Sequence, residues 1–425
     1  MKTLWTHLAG VALAACLAAC GGGTTPGAAD TEARATAAGA GRVAQFWLEP
    51  GGSTVIGVGQ TIQLHAAYKA TGSEPYPQYL SPSLLSITAQ PPSRVQVGAD
   101  STVTGLGAGS ATVTVRYGQL TQNLTVQVSG SWSEQAVWVP GQGTRSYAIY
   151  SPALDVKSVR PAILSLHGGG GSATIQAATS QLVKLAHAQK VHVAFLQGTG
   201  AIATFNAGAC CGAAAGDGVN DVLYVQRVLD DLAAQRLIDT TQVYATGFSN
   251  GGMMSHRLAC ALADRFAGIA AVGGASGQFD GAGNSYYACT PSRPIPVLHI
   301  HATNDRNYPF AGGFGDGVSD TNYYAVNNTI ADWRARNNVS AAFTLESFGA
   351  STMCRRHATP AVAGQPSAAV TLCKVDPVDV YDPVNQIVFG GGHSWPGGVR
   401  SPSPSSDTPL QDFDAGVYLW DNLRR

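Results

Sequence analysis

The chain of 425 residues is poor in charge. Asp, Glu, Lys and Arg make up 12% of it, about half the usual share of roughly 25%. The net charge of −1 removes the electrostatic ground for a nucleic-acid partner or for adsorption to anionic lipid. Metal-ligand spacing is missing too. No CxxC pair and no Cys/His cluster stands at zinc spacing, so neither a metal nor another cofactor is expected. Long apolar runs are absent. The run from Leu8 to Ala19 falls short of the ~20 residues a spanning helix needs. No separate polymer-binding segment with an aromatic platform stands out.

The N-terminus has a short positive start at Lys2, then that apolar run, then Leu17-Ala18-Ala19-Cys20-Gly21. This is a signal-peptide layout with small residues before the cut. Leu-Ala-Ala-Cys resembles the lipobox of bacterial lipoproteins. The resemblance implies acylation of Cys20, export to the cell envelope and a membrane partner through that anchor. The same tetrapeptide also ends at Cys16, but Cys20 is followed by a Gly-rich stretch. The expected organisation is a leader over 1–20, a flexible linker over 21–41, a small all-β sandwich over 42–130 and an α/β domain over 135–425. Composition supports the linker, since Gly, Ala, Thr and Pro offer nothing that would repay ordering.

Between Val43 and Ser129 short runs alternate in polarity, among them Thr61-Ile62-Gln63-Leu64-His65-Ala66 and Ala111-Thr112-Val113-Thr114-Val115. Gly and Pro punctuate them, the pattern of a β-sandwich. Val58 to Leu64 and Val103 to Val113 resemble the bacterial Ig-like group 2 family. That resemblance implies a spacer or adhesion module.

From about Ser146 the texture changes. Buried-strand runs at Pro161 to Leu166, Val191 to Leu196, Gln242 to Thr246, Ile269 to Val272 and Val297 to Ile300 alternate with helical patterns near Gln181–Gln189, Asp221–Leu237 and Met253–Leu262. The alternation predicts a mostly parallel, doubly wound sheet covered on both faces.

One pentapeptide carries chemistry in that layout. Gly247-Phe248-Ser249-Asn250-Gly251 sits between a strand and a helix, the context that makes G-x-S-x-G informative. The turn needs glycines, and the helix N-terminus favours developing negative charge. Ser249 is the expected nucleophile, and it needs a base. In this order of elements the acid and then the histidine follow the serine. Of the later histidines, His256 lies inside a helix, His299 and His301 on a buried strand, and His357 between two cysteines. His393 stands in a Gly-rich loop after the last apolar run and is the expected base. Asp305, just after a strand, is the expected acid, with Asp316 and Asp320 in a longer loop as competitors. The oxyanion donors are expected to be the N–H groups of Asn250 and Gly169, with Gly170 the second choice in its loop. Phe205, Phe248 and Trp395 are candidate pocket residues.

Six cysteines lie in the body of the chain, an even number that fits disulfides in an exported protein. Cys354 and Cys373 bracket a short segment and are expected to pair. The vicinal Cys210 and Cys211 are then expected to reach Cys260 and Cys289, in either order.

Seven ordered segments add a wider resemblance: Thr144 to Tyr147, Leu166 to Gly169, Phe205 to Gly212, Gly247 to Met253, Asn304-Asp305, Pro309 to Gly313 and Gly392 to Gly398. Over nearly all of 135–425 the chain resembles the poly(3-hydroxybutyrate) depolymerase and feruloyl/acetylxylan esterase-like group of α/β-hydrolases. The resemblance implies a Ser249, Asp305, His393 triad that cleaves a polymeric or oligomeric ester without a cofactor. Poly(3-hydroxybutyrate)-type polyester is the leading expectation, and a feruloyl or acetyl ester of plant polysaccharide is the alternative. The chain departs from the group at Phe205, where Trp is usual, and at His301-Ala302-Thr303, where His-Gly-Thr is usual. A reading of another class is a surface adhesion protein with an inactive hydrolase body.

Overall fold

The computed structural model describes residues 43–70, 78–152, 159–317, 319–377, 379–382, 386–389, 391–401 and 407–425. The leader, Cys20 and the linker lie outside the described residues. No helix among the described residues is long and apolar enough to cross a membrane.

The β-rich segment forms the short strands its alternation predicts. Buried Val113 and Val115 on one strand face Leu124, Val126 and Val128 on the next, each at 0% exposure, while the residues between them point outward. The sheet does not stop there. Strand β1 (Leu120–Val139) pairs with Gly109–Tyr117 through its first half and with β2 (Gly143–Ser151) through its second. It also pairs in parallel with Ser53–Val58, and that register shifts between Val128 and Ser131, around Gly130 at φ +67°. One 13-stranded sheet therefore runs through both halves of the chain.

The α/β half adds β3 (Arg160–Leu166), β4 (His192–Leu196), β5 (Ile238–Phe248), β6 (Gly268–Val272), β7 (Val297–Ala302), β8 (Thr344–Phe348), β9 (Thr352–His357) and β10 (Val370–Val375). The spatial order is β1-β2-β4-β3-β5-β6-β7-β10-β9-β8. The strands from β4 through β10 in that order are parallel, and β2 is antiparallel to β4. This is the α/β-hydrolase arrangement, with helices on both faces.

Those helices are α1 (Ala173–Ser180), α2 (Leu182–Gln189), α3 (Asp221–Ala234), α4 (Asn250–Ala261), α5 (Val326–Arg336) and α6 (Ala415–Leu423). Sequence periodicity finds α2 but not α1; left-handed Gln181, at φ 57°, separates the two. Asn220 caps α3 by accepting from Leu223 N, and the face Tyr224, Val225, Val228, Leu229, Leu232 is buried.

The Cys354–Cys373 bond ties β9 to β10 as expected. The other pairing needs correction: Cys210 bonds to Cys211, and Cys260 to Cys289. The end of α4 brings Cys260 within 4.7 Å of Cys289, Cα to Cα, which leaves the vicinal cysteines to each other.

Candidate active site

The site lies at the carboxyl ends of β3, β5, β6 and β7. Strand β5 turns into α4 at Ser249, whose φ of 53° and ψ of −117° are rare for a side-chain-bearing residue. Such backbone costs on the order of 1–3 kcal/mol and persists only where its surroundings dictate it. They do here. Ser249 N donates to Val272 O at 2.8 Å, and Met253 N to Ser249 O at 2.9 Å. A Cβ on Gly247 would collide with the Gly251 backbone, and one on Gly251 with the Leu166 carbonyl, so the flanking glycines are steric necessities.

His393 arrives from the loop beyond β10. Three successive N–H groups anchor that loop: Gly391 to Thr408 O at 3.0 Å, Gly392 to Asn304 Oδ1 at 2.8 Å and His393 to Asp407 Oδ2 at 2.6 Å. The imidazole lies beside the Phe248 ring, centroids 4.7 Å apart, and over Gly273 at the end of β6. Its Nδ1 donates to Asp305 Oδ2 at 2.7 Å, and Asp305 Oδ1 accepts from Tyr308 N at 2.8 Å. Asp305 is 4% exposed. Asp316 instead sits outside the site, with its side chain 70% exposed beside Arg306.

The electrostatics follow from burial and charge. Burial by itself lowers the His393 pKa, but the Asp305 carboxylate and its hydrogen bond, helped by Asp407, raise it above the ordinary 6.5. Burial by itself raises Asp305; the charge and hydrogen bond of His393, then His301 and the Tyr308 N–H, bring it below the usual carboxylate value. An acidic group and a basic imidazole in contact can thus hold a proton between them and pass it to a neighbour.

The glycine loop after β3 faces the elbow. His167 is buried; its Nδ1 donates to Gly168 O at 2.6 Å and its Nε2 accepts from Gly198 N at 2.9 Å, which pins the loop. The Gly170 N–H is committed to Ala203 O at 2.8 Å, which takes the second-choice donor out of use. The Asn250 side chain is tied to the Phe205 backbone twice, accepting at 2.7 Å and donating at 2.8 Å.

A cleft of about 170 Å³ opens here, with Gly169, Ile175, Phe248, His393, Trp395 and Asp407 among its lining. Phe205 is a correction. Its ring is fully buried, 4.8 Å from the His167 ring, and does not line the cleft. Phe248 and Trp395 do line it. Asp407 carries no motif of its own and reaches the site only through the folded loop, while Asn304 stands in the Asn304-Asp305 segment but shows its hold on Gly392 N only in the fold. Among the described residues no group of three or more His, Cys, Asp or Glu side chains is placed to hold a metal ion.

Comparison with known proteins agrees with this architecture. The Phospholipase/Carboxylesterase family matches residues 216–315. A putative esterase of Nocardia uniformis subsp. tsuyamanensis is 34% identical over 287 residues, which cover 64% of this chain and 78% of that protein. A bifunctional acetylxylan esterase/xylanase of Neocallimastix patriciarum is 28% identical over 172 residues, 40% of this chain and 23% of that protein. Feruloyl esterase B of Piromyces equi is 30% identical over 183 residues, 42% of this chain and 32% of that protein. The match therefore spans most of the Nocardia protein and a third or less of the two fungal ones. Fold and elbow define the class, an α/β-hydrolase. Within it the chain belongs to the esterase family of the Nocardia protein and is a carboxylic ester hydrolase.

Proposed function

We propose that the enzyme cleaves esters by two-step acyl transfer on Ser249, with His393 as base and Asp305 as acid. One observation carries the reading: a strained serine at the head of β5, with an imidazole and a buried carboxylate 2.7 Å apart delivered to the same sheet edge by two other loops. His393 takes the Ser249 hydroxyl proton as the oxygen attacks the ester carbonyl. The N–H groups of Asn250 and Gly169 receive the oxyanion. The His393 cation then protonates the leaving alcohol, and neutral His393 activates the water that frees the acid and restores the serine. Hydrolysis of a p-nitrophenyl acyl ester by the wild type, lost in Ser249→Ala, is the expected result. Undiminished activity in that variant would overturn the mechanism. A wild type without activity would favour the adhesion reading.

For the substrate we propose a poly(3-hydroxybutyrate)-type polyester. The cleft presents Ile175, Val399 and Pro409 beside Phe248 and Trp395, a lining suited to a short aliphatic repeat. A feruloyl or acetyl ester of a polysaccharide is the second reading, supported by the names of the two fungal relatives. Release of hydroxybutyrate from polymer, measured against release of ferulate or acetate from xylan, decides between them.

We read residues 42–130 as an Ig-like spacer before an esterase domain over 135–425, and Cys20 as the lipid anchor of an exported, envelope-bound enzyme. Incorporation of labelled fatty acid, abolished by Cys20→Ala, is the expected outcome for the anchor.

A further inference from the structure

Asp305 has a second imidazole beside it. His301 Nε2 lies 3.4 Å from the same Oδ2 that His393 contacts. Behind His301 a row of rings runs into the core. Trp333 Nε1 is 2.9 Å from His256 Nδ1. His256 Nε2 is 3.2 Å from His299 Nδ1, and His299 Nε2 is 3.1 Å from His301 Nδ1. His301 Nε2 then meets the Tyr308 carbonyl at 2.8 Å. The fold explains the line-up. Leu298, Ile300 and Ala302 of β7 face one core, which leaves His299 and His301 together on the other face, under α4 and α5. All three imidazoles are at most 1% exposed.

The row has one permitted direction. An indole N–H only donates, and a carbonyl only accepts. Each neutral imidazole between them has one N–H and one lone pair. Starting from Trp333, every ring must accept at Nδ1 and donate at Nε2. Starting from Tyr308, the assignment is the same. Four N–H groups meet four acceptors, and nothing is left over. A second proton on any ring would set N–H against N–H, so the network excludes charge as firmly as burial does. Burial, with the Arg336 charge, brings His256 down to about 3, and it lowers His299 and His301 as well. The row is not a proton conduit, because it ends on an indole that does not ionise. It is not a convergent ligand set either, because every imidazole lone pair already has a donor.

We propose that Trp333, His256, His299 and His301 act as one positioning unit for the acid of the triad. Its fixed polarity presents the His301 N–H to the Tyr308 carbonyl and to Asp305 Oδ2. This holds the loop between β7 and Tyr308, and with it the carboxylate that faces His393. The proposal rests on the reading of Asp305 as the triad acid. The other groups facing the row are Arg336, whose guanidinium lies 5.5 Å over Trp333, Tyr308 with Tyr323 stacked on it, Phe310 at the edge of His301, and His393 beyond Asp305.

Histidine-labelled full-length enzyme, read by nitrogen NMR, is expected to show His256, His299 and His301 as neutral Nε2–H tautomers from pH 8 to 5. An Nδ1–H form or a cation at any of them overturns the polarity. His256→Phe keeps a ring but removes two hydrogen bonds. It is expected to lower kcat about tenfold at unchanged KM, the scale of a small misplacement of catalytic groups. The acid-side midpoint of kcat/KM is expected to move down, because a loosened carboxylate supports the His393 cation less well. His256→Gln, which can accept and donate in the same direction, is expected to recover most of the loss. Trp333→Phe serves the same test should His256→Phe fail to fold. A folded variant with a lower melting temperature but wild-type kcat and midpoint overturns the proposal. Asp305→Asn separates the two claims: wild-type activity there overturns the triad reading, whereas its inactivity beside a wild-type His256→Phe overturns only the positioning unit.

Discussion

His393 and His301 approach one carboxylate oxygen, and the fold makes them opposites. His393 stands at the cleft edge with its side chain 11% exposed and Asp305 at 2.7 Å, and its pKa is raised. His301 is fully enclosed, its lone pair met by another neutral ring and its N–H shared with a carbonyl, and its pKa is lowered. Residue type and carboxylate are the same. What differs is whether a proton can arrive without breaking a hydrogen bond. His393 lines the cleft, and charging its ring strengthens its bond to Asp305. At His301 both nitrogens are spent.

The largest way to test this contrast is to remove each imidazole in turn. His393→Ala is expected to reduce kcat on the order of 10⁵- to 10⁶-fold, as loss of a triad base does, whereas His301→Gln is expected to cost only about tenfold. Equal losses in steady-state assays would erase the distinction. Next in size, Asp305→Asn is expected to reduce kcat roughly 10⁴-fold, because the amide favours the wrong imidazole tautomer.

Stability should respond to pH through the enclosed set. The folded pKa values of His256, His299 and His301 lie below 6.5, so in this range the unfolded chain binds protons that the native state refuses. Their contribution is full above about pH 6.5 and is lost as pH falls below it, by roughly 1.4 kcal/mol per pH unit for His256, whose folded value is brought down to about 3. Denaturant melts between pH 7 and 5 should show this slope, and His256→Phe should flatten it by about one proton's worth. A pH-independent stability would contradict the neutral, closed network.

The smallest effect is expected at Asp407. Its carboxylate accepts from His393 N and supports the His393 cation. In Asp407→Asn the amide oxygen can still accept, but the charge is gone. The acid limb of kcat/KM, expected at a midpoint above 6.5 because the base must be neutral, should move slightly down with kcat nearly retained. An upward shift in the pH-rate profile would contradict the assigned sign.

Much of the α/β layout was legible because it is local. Alternating strand and helix periods place Ser249 between β5 and α4, and the glycines around it announce the turn. The helix begins at Asn250 rather than Met253, a difference at the first turn only. Asp305 and His393 were legible as types in an order, each after a strand and each in a loop. Helix α1 was not legible: its Ala- and Thr-rich stretch has a weak apolar stripe, and its burial comes from β3 and β4. Phe205 reads as a pocket aromatic in sequence and proves to be a wedge under the glycine loop. The disulfide partner of Cys260 depends on where the loop carrying Cys289 returns, which no spacing encodes.

The sequence by itself determined a carboxyl-edge serine on a parallel sheet, and an acid and a histidine in the right chain order, because strand, turn and helix preferences act over a few residues. Only the tertiary structure decided which carboxylate meets which imidazole, which cysteines pair, and that His256, 43 residues before His299, joins it in one polarised row ending on Trp333. The physical reason is range. Propensity is settled by neighbours in the chain, whereas a hydrogen-bond direction and a pKa are settled by neighbours in space, and the packed core chooses those.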